Sequence, residues 1–331
     1  MSDSPDHTGT LPGRRGAGRL FGTRALAIAG LVAAVAGLVA GMFGEAWLPL
    51  DVLAHFRVHF IGGAIVFAVA ALLPRLRALF AIGGLILVVI GIGLWEPAKR
   101  WAGIGQTPAA GTANTLRIVS FNTWLANTDW QVIERYLRGA DADVVVLVEF
   151  GDEKQEMLDR LRDLYPHQED CIDRHYCHMA LLSRRPWAQS GVQSGREGAP
   201  PYVWAKFGPE LGGLNLIGTH IVRAPHLRAQ MTQLDRLGDA VNELEGPVVI
   251  AGDFNATPWS HAFRRFTART GLDRSARYLP SWPVYSINLP QLPIDHVFVS
   301  SEIRPLHVTT GPALGSDHLP IETTLQLPEA N

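Results

Sequence analysis

Two kinds of apolar pattern divide the chain. Up to residue 95 hydrophobic positions run on almost without interruption; after residue 115 they fall into short runs of five or six closed by polar residues. Ala25–Gly44 is 20 residues without a charge, the length of helix that crosses about 30 Å of hydrocarbon. Ala78–Trp95 is a second uncharged run of 18, and between them Val58–Leu73 gives 16, with His59 near its start and Pro74 after its end. All three are rich in Gly, Ala and Val, which let helices approach closely in lipid. Trp47, Trp95 and Trp101 stand at the run ends, where an interfacial aromatic belt belongs. The pattern predicts a basic tail (1–24), a membrane anchor of about three helices (25–44, 58–73 and 78–95) and a Pro/Gly/Ala/Thr linker (96–115).

The remainder, 116–326, alternates strand and helix signals. Strands are predicted at 116–121, 144–148, 179–183, 202–207, 214–219, 247–252, 294–299, 305–310 and 321–326, the short apolar runs of buried strands. Asp129 is placed to cap a helix to about Arg138, and amphipathic helices are predicted at 152–164 and 259–270. A further helix opens at Pro225, with Leu227, Met231, Leu234, Leu237, Val241 and Leu244 on one face. Strands and helices intermixed over this length predict an α/β domain with one generous core.

Composition sharpens this division. Hydrophobic residues make up 47% and charged residues 18% of the 331, against about 25% charged in an average soluble domain. Residues 1–111 carry nine Lys/Arg against five Asp/Glu, and residues 112–331 twenty against twenty-six. The acidic back part argues against a strongly basic nucleic-acid binder. Six of the front cations (Arg14, Arg15, Arg19, Arg24, Arg75, Arg77) flank one side of the three runs, and three (Arg57, Lys99, Arg100) flank the other. More positive flanks face the cytoplasm, so the expectation is a bacterial inner-membrane protein with a cytoplasmic N-terminus and an extracytoplasmic α/β domain. If 58–73 does not span, that domain returns to the cytoplasm; a cleaved signal peptide is a further alternative. The only cysteines, Cys171 and Cys177, can close a short disulfide loop, stay as thiols, or bind metal with His175 and His178 nearby. A disulfide would suit an oxidising compartment.

Polar residues directly after apolar strands sit at the sheet rim, where open α/β folds place their ligands. Asn122 ends IVSFN, Glu149 ends VVVLVE, His220 ends LIGTH, and Asp253 and Asn255 close VVIAGDFN. Asp295 lies in PIDHVFV and Asp317–His318 in GSDHLP. Singly, each reads as a cap, a turn or a hydrogen-bonded rim residue. Together they offer carboxylates and an amide suited to a hard cation, Mg²⁺ or Mn²⁺ rather than Zn²⁺, plus a carboxylate–histidine pair.

The ordered set SFN, VEF, GTH, GDFNATP, IDHVF and GSDHLP resembles the endonuclease/exonuclease/phosphatase superfamily, which includes pancreatic-type deoxyribonucleases and neutral sphingomyelinases. The resemblance implies a four-layer α/β sandwich, two packed sheets flanked by helices, with the site at the rim between them. It implies a metal at Glu149 with Asn122 and Asp317 beside it, Asp253 positioning or deprotonating water, and Asn255 on the phosphoryl oxygens. It pairs His318 with Asp295 and places His220 at the departing side. The expected activity is metal-dependent hydrolysis of phosphodiester or phosphomonoester bonds, with a lipid-linked or envelope phosphate as substrate beside the bilayer. An extracytoplasmic nuclease on DNA or RNA, and a catalytically silent tethered binding module, are the alternatives. No protein partner is inferred.

Overall fold

The computed structural model describes residues 14–72, 114–172, 177–195, 198–276, 278–284 and 291–328. The expected run 78–95 and most of the linker lie outside the described residues.

Among these residues twelve strands form two six-stranded sheets. The first holds β1 (Thr115–Asn122), β2 (Val144–Val148), β3 (His167–Asp170), β4 (Met179–Ser183), β11 (Arg304–Thr310) and β12 (Ile321–Gln326), in the order β11-β12-β1-β2-β4-β3. The second holds β5 (Trp187–Gln193), β6 (Tyr202–Phe207), β7 (Asn215–His220), β8 (Val248–Asp253), β9 (Asp273–Arg274) and β10 (Asp295–Val299), in the order β5-β6-β7-β8-β10-β9. Each sheet has one parallel pair at its middle, β1 with β2 and β7 with β8; the other pairings are antiparallel.

The two-residue period of a strand explains why these runs are apolar throughout. Val144, Val146 and Val148 of β2 face the second sheet in the central core, while Val145 and Leu147 face the outer helices. Helices α4 (Trp130–Gly139) and α5 (Gln155–Arg160) cover the first sheet through Ile133, Leu137, Met157 and Leu158. Helices α6 (Leu227–Asn242) and α7 (His261–Thr270) cover the second through Leu234, Leu237, Val241, Phe263 and Phe266. The four-layer sandwich is therefore the observed architecture, and where the sheets approach most closely there is no room for a side chain. A Cβ on Gly218 would lie 2.6 Å from a methyl of Val146.

Several element bounds differ from the sequence reading. Asp129 precedes α4 but its side chain makes no capping bond. The 152–164 segment is a 3-10 turn, Asp152–Lys154, followed by the short α5. Helix α6 starts at Leu227 rather than Pro225 and ends at Asn242, so Leu244 falls past it and is exposed. Strands β3, β5 and β9 were not expected: each is an edge strand, and an edge facing solvent carries no apolar run to read. Cys171 and Cys177 form a disulfide with a Cα–Cα separation of 5.7 Å.

At the front, α1 (Arg14–Ala40) begins inside the segment expected to be a tail. One described helical stretch, Arg24–Phe43, is long and apolar enough to cross a membrane. Beyond α2 (Asp51–Ala54), α3 (Arg57–Leu72) folds back on α1. Gly30 and Gly37 make the contact possible: a Cβ there would lie 2.7 Å from the Phe67 ring and 2.6 Å from the Phe60 ring. Helix α3 has 16 residues, and with the short helical segment before it makes a pair bent by 63°.

One glycine decides the approach of the two central strands at the site. Gly252, next to Asp253, has φ +149, and a Cβ there would stand 1.9 Å from the Thr219 carbonyl oxygen on β7. Gly252→Ala is expected to lower stability by about 3 kcal/mol or more in urea unfolding. Gly139→Ala at the end of α4, where no atom lies within 4 Å, is expected to change it by less than about 0.5 kcal/mol.

Candidate active site

The strand ends named from the sequence meet at one rim of the sandwich. Asn122 is the last residue of β1, Glu149 follows β2, His220 ends β7 and Asp253 ends β8. Asp295 opens β10, which runs antiparallel to β8 and sets Asp295 opposite Asp253. Asp317 and His318 lie on the connection from β11 to β12. Glu149 and Asn255 have φ of +50 and +48, left-handed conformations that are uncommon outside glycine and concentrate at functional sites.

Asn122 ties the two sheets together. It is fully buried, and its amide donates to Glu149 Oε1 and to Asp253 Oδ2, each at 3.0 Å. Asp253 also accepts from the Asn255 backbone N–H at 2.7 Å and from its side chain at 3.1 Å. His220 Nε2 lies 3.7 Å from Glu149 and 3.8 Å from Asp253, and the Asn255 amide stands 3.3 Å from the same nitrogen. On the other side, His318 Nδ1 donates to Asp295 Oδ2 at 2.7 Å, and its Nε2 lies 3.9 Å from both Asp253 Oδ2 and Asp317 Oδ1.

Burial sets the electrostatics. Asp253 loses its hydration and faces the Asp295 charge; these push its carboxyl up to about 8, against the pull of His318 and the Asn255 and Asn122 hydrogen bonds. Burial by itself would lower the His318 imidazole, but the charge and hydrogen bond of Asp295, with Asp253 and Asp317 beyond, raise it to about 10. His318 is thus an imidazolium at neutral pH. Burial lowers His220, whose ring is neutral there. Burial would raise Glu149, yet His220, the Asn122 amide and the Leu125 N–H hold its carboxyl below the usual range.

Two close sets of potential metal ligands share Asp253: Glu149–His220–Asp253 and Asp253–Asp295–His318, with ligand atoms in each set within 4.8 Å of one another. His220, expected on the departing side, is one of the three residues of the first set. Asp317 belongs to neither set; Trp282 Nε1 donates to its Oδ2 at 3.0 Å, while its Oδ1 is buried without a hydrogen-bond partner. An orphaned carboxylate oxygen beside a set of oxygen donors fits a hard divalent cation.

Sequence reasoning missed the residues that hold this set in place. Ser281 Oγ donates to Asp295 Oδ2 at 2.5 Å, and Ser316 Oγ donates to the Asn122 carbonyl at 2.7 Å while accepting the His318 N–H. The buried Lys154 donates to the Trp124 carbonyl at 2.9 Å and steadies the loop after β1. Ser316 sits inside the GSDH segment and was within reach; Ser281 and Lys154 follow no pattern. His296, next to Asp295, points away: burial lowers its pKa to about 3 and its Nε2 bonds the Ala256 carbonyl at 2.8 Å. Of the arginines near the strand ends, Arg223 lines the cleft, and Arg265 is held by Asp235.

The sequence profile of the Endonuclease/Exonuclease/phosphatase family matches residues 119–318, and the chain belongs to that family. Solved structures agree on the fold. A family protein from Bacteroides thetaiotaomicron superposes with a TM-score of 0.53 at 17% identity, covering 65% of this chain and 98% of its own. One from Beutenbergia cavernae gives 0.52 at 20% identity, covering 66% and 73%, and a humanized D. rerio TDP2 gives 0.51 at 17%, covering 64% and 99%. No curated protein sequence matches the chain. Members of this family are metal-dependent phosphoester hydrolases.

The site predicts how stability depends on pH. With folded values of about 8 and about 10 against ordinary values of 3.8 and 6.5, Asp253 and His318 keep protons that the unfolded chain gives up. A state that binds more protons loses ground as pH rises. The thermal midpoint in EDTA is therefore expected to fall by several degrees from pH 7 to pH 9, and Mg²⁺ to restore it most at pH 9, where Asp253 beside the cation carries no competing proton. Scanning calorimetry reads both; a flat profile in EDTA counts against the assignment.

Proposed function

We propose that the protein is a divalent-metal-dependent phosphoesterase held at a membrane by its N-terminal helices, hydrolysing a phosphate ester that is lipid-linked or belongs to the cell envelope. The observation that carries this reading is the convergence of Asn122, Glu149, His220, Asp253, Asn255, Asp295 and His318 on one rim, bonded to one another as described.

Glu149, Asn122 and Asp317 would hold Mg²⁺ or Mn²⁺, which supplies charge neutralisation at a non-bridging oxygen and a lowered pKa for bound water. The protein groups then divide the proton chemistry. Asp253, in the deprotonated form that a cation beside it would favour, would position and deprotonate the attacking water. His318 already carries its proton, so it would donate from Nε2 to the phosphate oxygens instead of accepting. Asp295 fixes its tautomer and sustains its charge. The Asn255 amide would meet the phosphoryl oxygens by exchanging its contact with Asp253, and neutral His220 would face the departing group.

Membrane attachment draws support from the Arg24–Phe43 helix and from large apolar side chains left exposed on the hairpin, among them Leu26, Val32, Ile65, Val66 and Leu72. Such surface calls for an apolar environment. A multi-pass anchor with a cytoplasmic N-terminus and an extracytoplasmic catalytic domain is the topology we infer, and the Cys171–Cys177 disulfide suits the oxidising side.

Purified protein is expected to hydrolyse bis-para-nitrophenyl phosphate with Mg²⁺ or Mn²⁺ and to stop in EDTA. His318→Ala and Asp253→Ala are each expected to lower turnover at least about 100-fold; near wild-type turnover by either refutes its role. Short-chain phospholipids and supercoiled DNA, compared next, are expected to favour the phospholipid. Preference for DNA would replace the lipid-linked reading with a nuclease.

A further inference from the structure

The cleft over Asp253 and His318 encloses about 920 Å³, far more than a phosphate group fills and within the range of sites that hold a whole organic ligand. Part of its wall comes from outside the family-matched span of 119–318. Val52, His55 and Phe56 line it together with Leu125, Trp282 and Leu292. The first three belong to α2 and the bend that follows it, about two hundred positions away in sequence from Asp253.

This bend is bonded to the catalytic domain at three points spaced four residues apart. The Asp51 carboxylate accepts the His261 N–H at 2.5 Å and the Ala262 N–H at 3.2 Å, two of the four N–H groups that the start of α7 leaves without intrahelical partners. Asp51 is fully buried, and its negative charge lies where the helix dipole favours one. His55 Nδ1 accepts the Thr257 N–H at 3.2 Å, and His59 Nε2 donates to Gln291 Oε1 at 2.6 Å, next to the cleft residue Leu292. The turn is shaped to reach these partners: a Cβ on Gly44 would lie 2.7 Å from Asp51 Oδ1, and one on Gly41 2.9 Å from the Ala54 nitrogen.

One group on this wall lacks a partner. With Nδ1 accepting from Thr257, a neutral His55 carries its proton on Nε2. That nitrogen is buried with no acceptor, although the side chain lies on the cleft and the residue is only 5% exposed. A buried donor without an acceptor is costly, and an oxygen of a bound ester, though not its alkyl group, would relieve it. Phe56 beside it is 41% exposed, an aromatic face on the cleft left open by the described residues.

We propose that the bend Asp51–Phe56 is a working wall of the active-site cleft: Asp51 fixes it to the catalytic domain, and Val52 and Phe56 hold the apolar part of a substrate whose phosphoester reaches Asp253 and His318. The inference rests on the phosphoesterase reading for the phosphate end and adds the substrate class, a phosphate ester carrying an alkyl group. Asp51 is a positioning residue; it touches no substrate.

Binding is measured on the full chain in detergent with Mg²⁺, by tryptophan fluorescence, using methyl phosphate and butyl phosphate as probes. The wild type is expected to bind butyl phosphate at least about fivefold more tightly than methyl phosphate, from three additional methylenes partly removed from water. In Phe56→Ser, a change at an exposed side chain, and in Asp51→Ala the ratio is expected to fall within about twofold of one. No alkyl preference in the wild type, or its retention in Phe56→Ser, overturns the wall; retention in Asp51→Ala overturns its fixing by Asp51. Hydrolysis of the matching methyl and butyl para-nitrophenyl diesters is followed in parallel. Alkyl preference in binding without turnover removes the phosphoesterase reading and leaves the wall standing.

Discussion

Two carboxylates stand directly opposite one another across the β8–β10 ladder. Asp253 and Asp295 are 1% and 4% exposed, and like charges in that position repel. The surrounding groups answer this repulsion one by one. Asn122 and Asn255 donate to Asp253. Ser281 and the His318 imidazolium donate to Asp295. A buried charge is tolerated only when it is paired and hydrogen-bonded, so the sites of these partners are fixed by the pair they neutralise. The two sheets must meet at this rim because Asn122 comes from the first and both aspartates come from the second.

The same pair perturbs the proton affinities of the rim. Repulsion and burial raise one carboxyl toward neutrality, which suits a base, and convert the histidine of the other into a held cation. Two titratable groups pushed apart by a shared environment is the pattern by which one site performs both acid and base work. A divalent cation entering beside Glu149 and Asp253 would relieve the same repulsion that perturbs them, so ligand affinity and proton affinity oppose each other at Asp253.

Much of this was legible in the sequence because buried strands announce themselves. Val144–Val148 is apolar on both faces since it lies between two packed layers, and the polar residue that follows such a run has only the rim to occupy. Glu149, Asp253 and Asn122 were readable for that reason. The supporting groups were not: Ser281 reaches Asp295 from a separate segment, and Lys154 reaches Trp124 across 30 positions, so neither leaves a local pattern. Edge strands β3, β5 and β9 escaped because an edge needs no apolar alternation. The cysteine pair was legible only as a set of alternatives, since six residues of separation suit a disulfide loop without requiring one. The third apolar run, 78–95, lies outside the described residues.

The N-terminal segment shows the limit of reading by motif. Asp51, His55 and His59 recur every four residues, with Arg57 the one other charge among them, and all three turn toward the catalytic domain across the bend between α2 and α3. In a helix facing only lipid, a carboxylate there would be costly. The cost disappears because the start of α7 offers two unpaired N–H groups to Asp51. A polar stripe in an apolar segment therefore marks a protein-facing side and identifies where the segment docks. Family resemblance could not supply this, since the matched span begins only at residue 119. The strand-end residues of this cleft therefore lie inside the family-matched span, while Val52, His55 and Phe56 of its wall lie outside it.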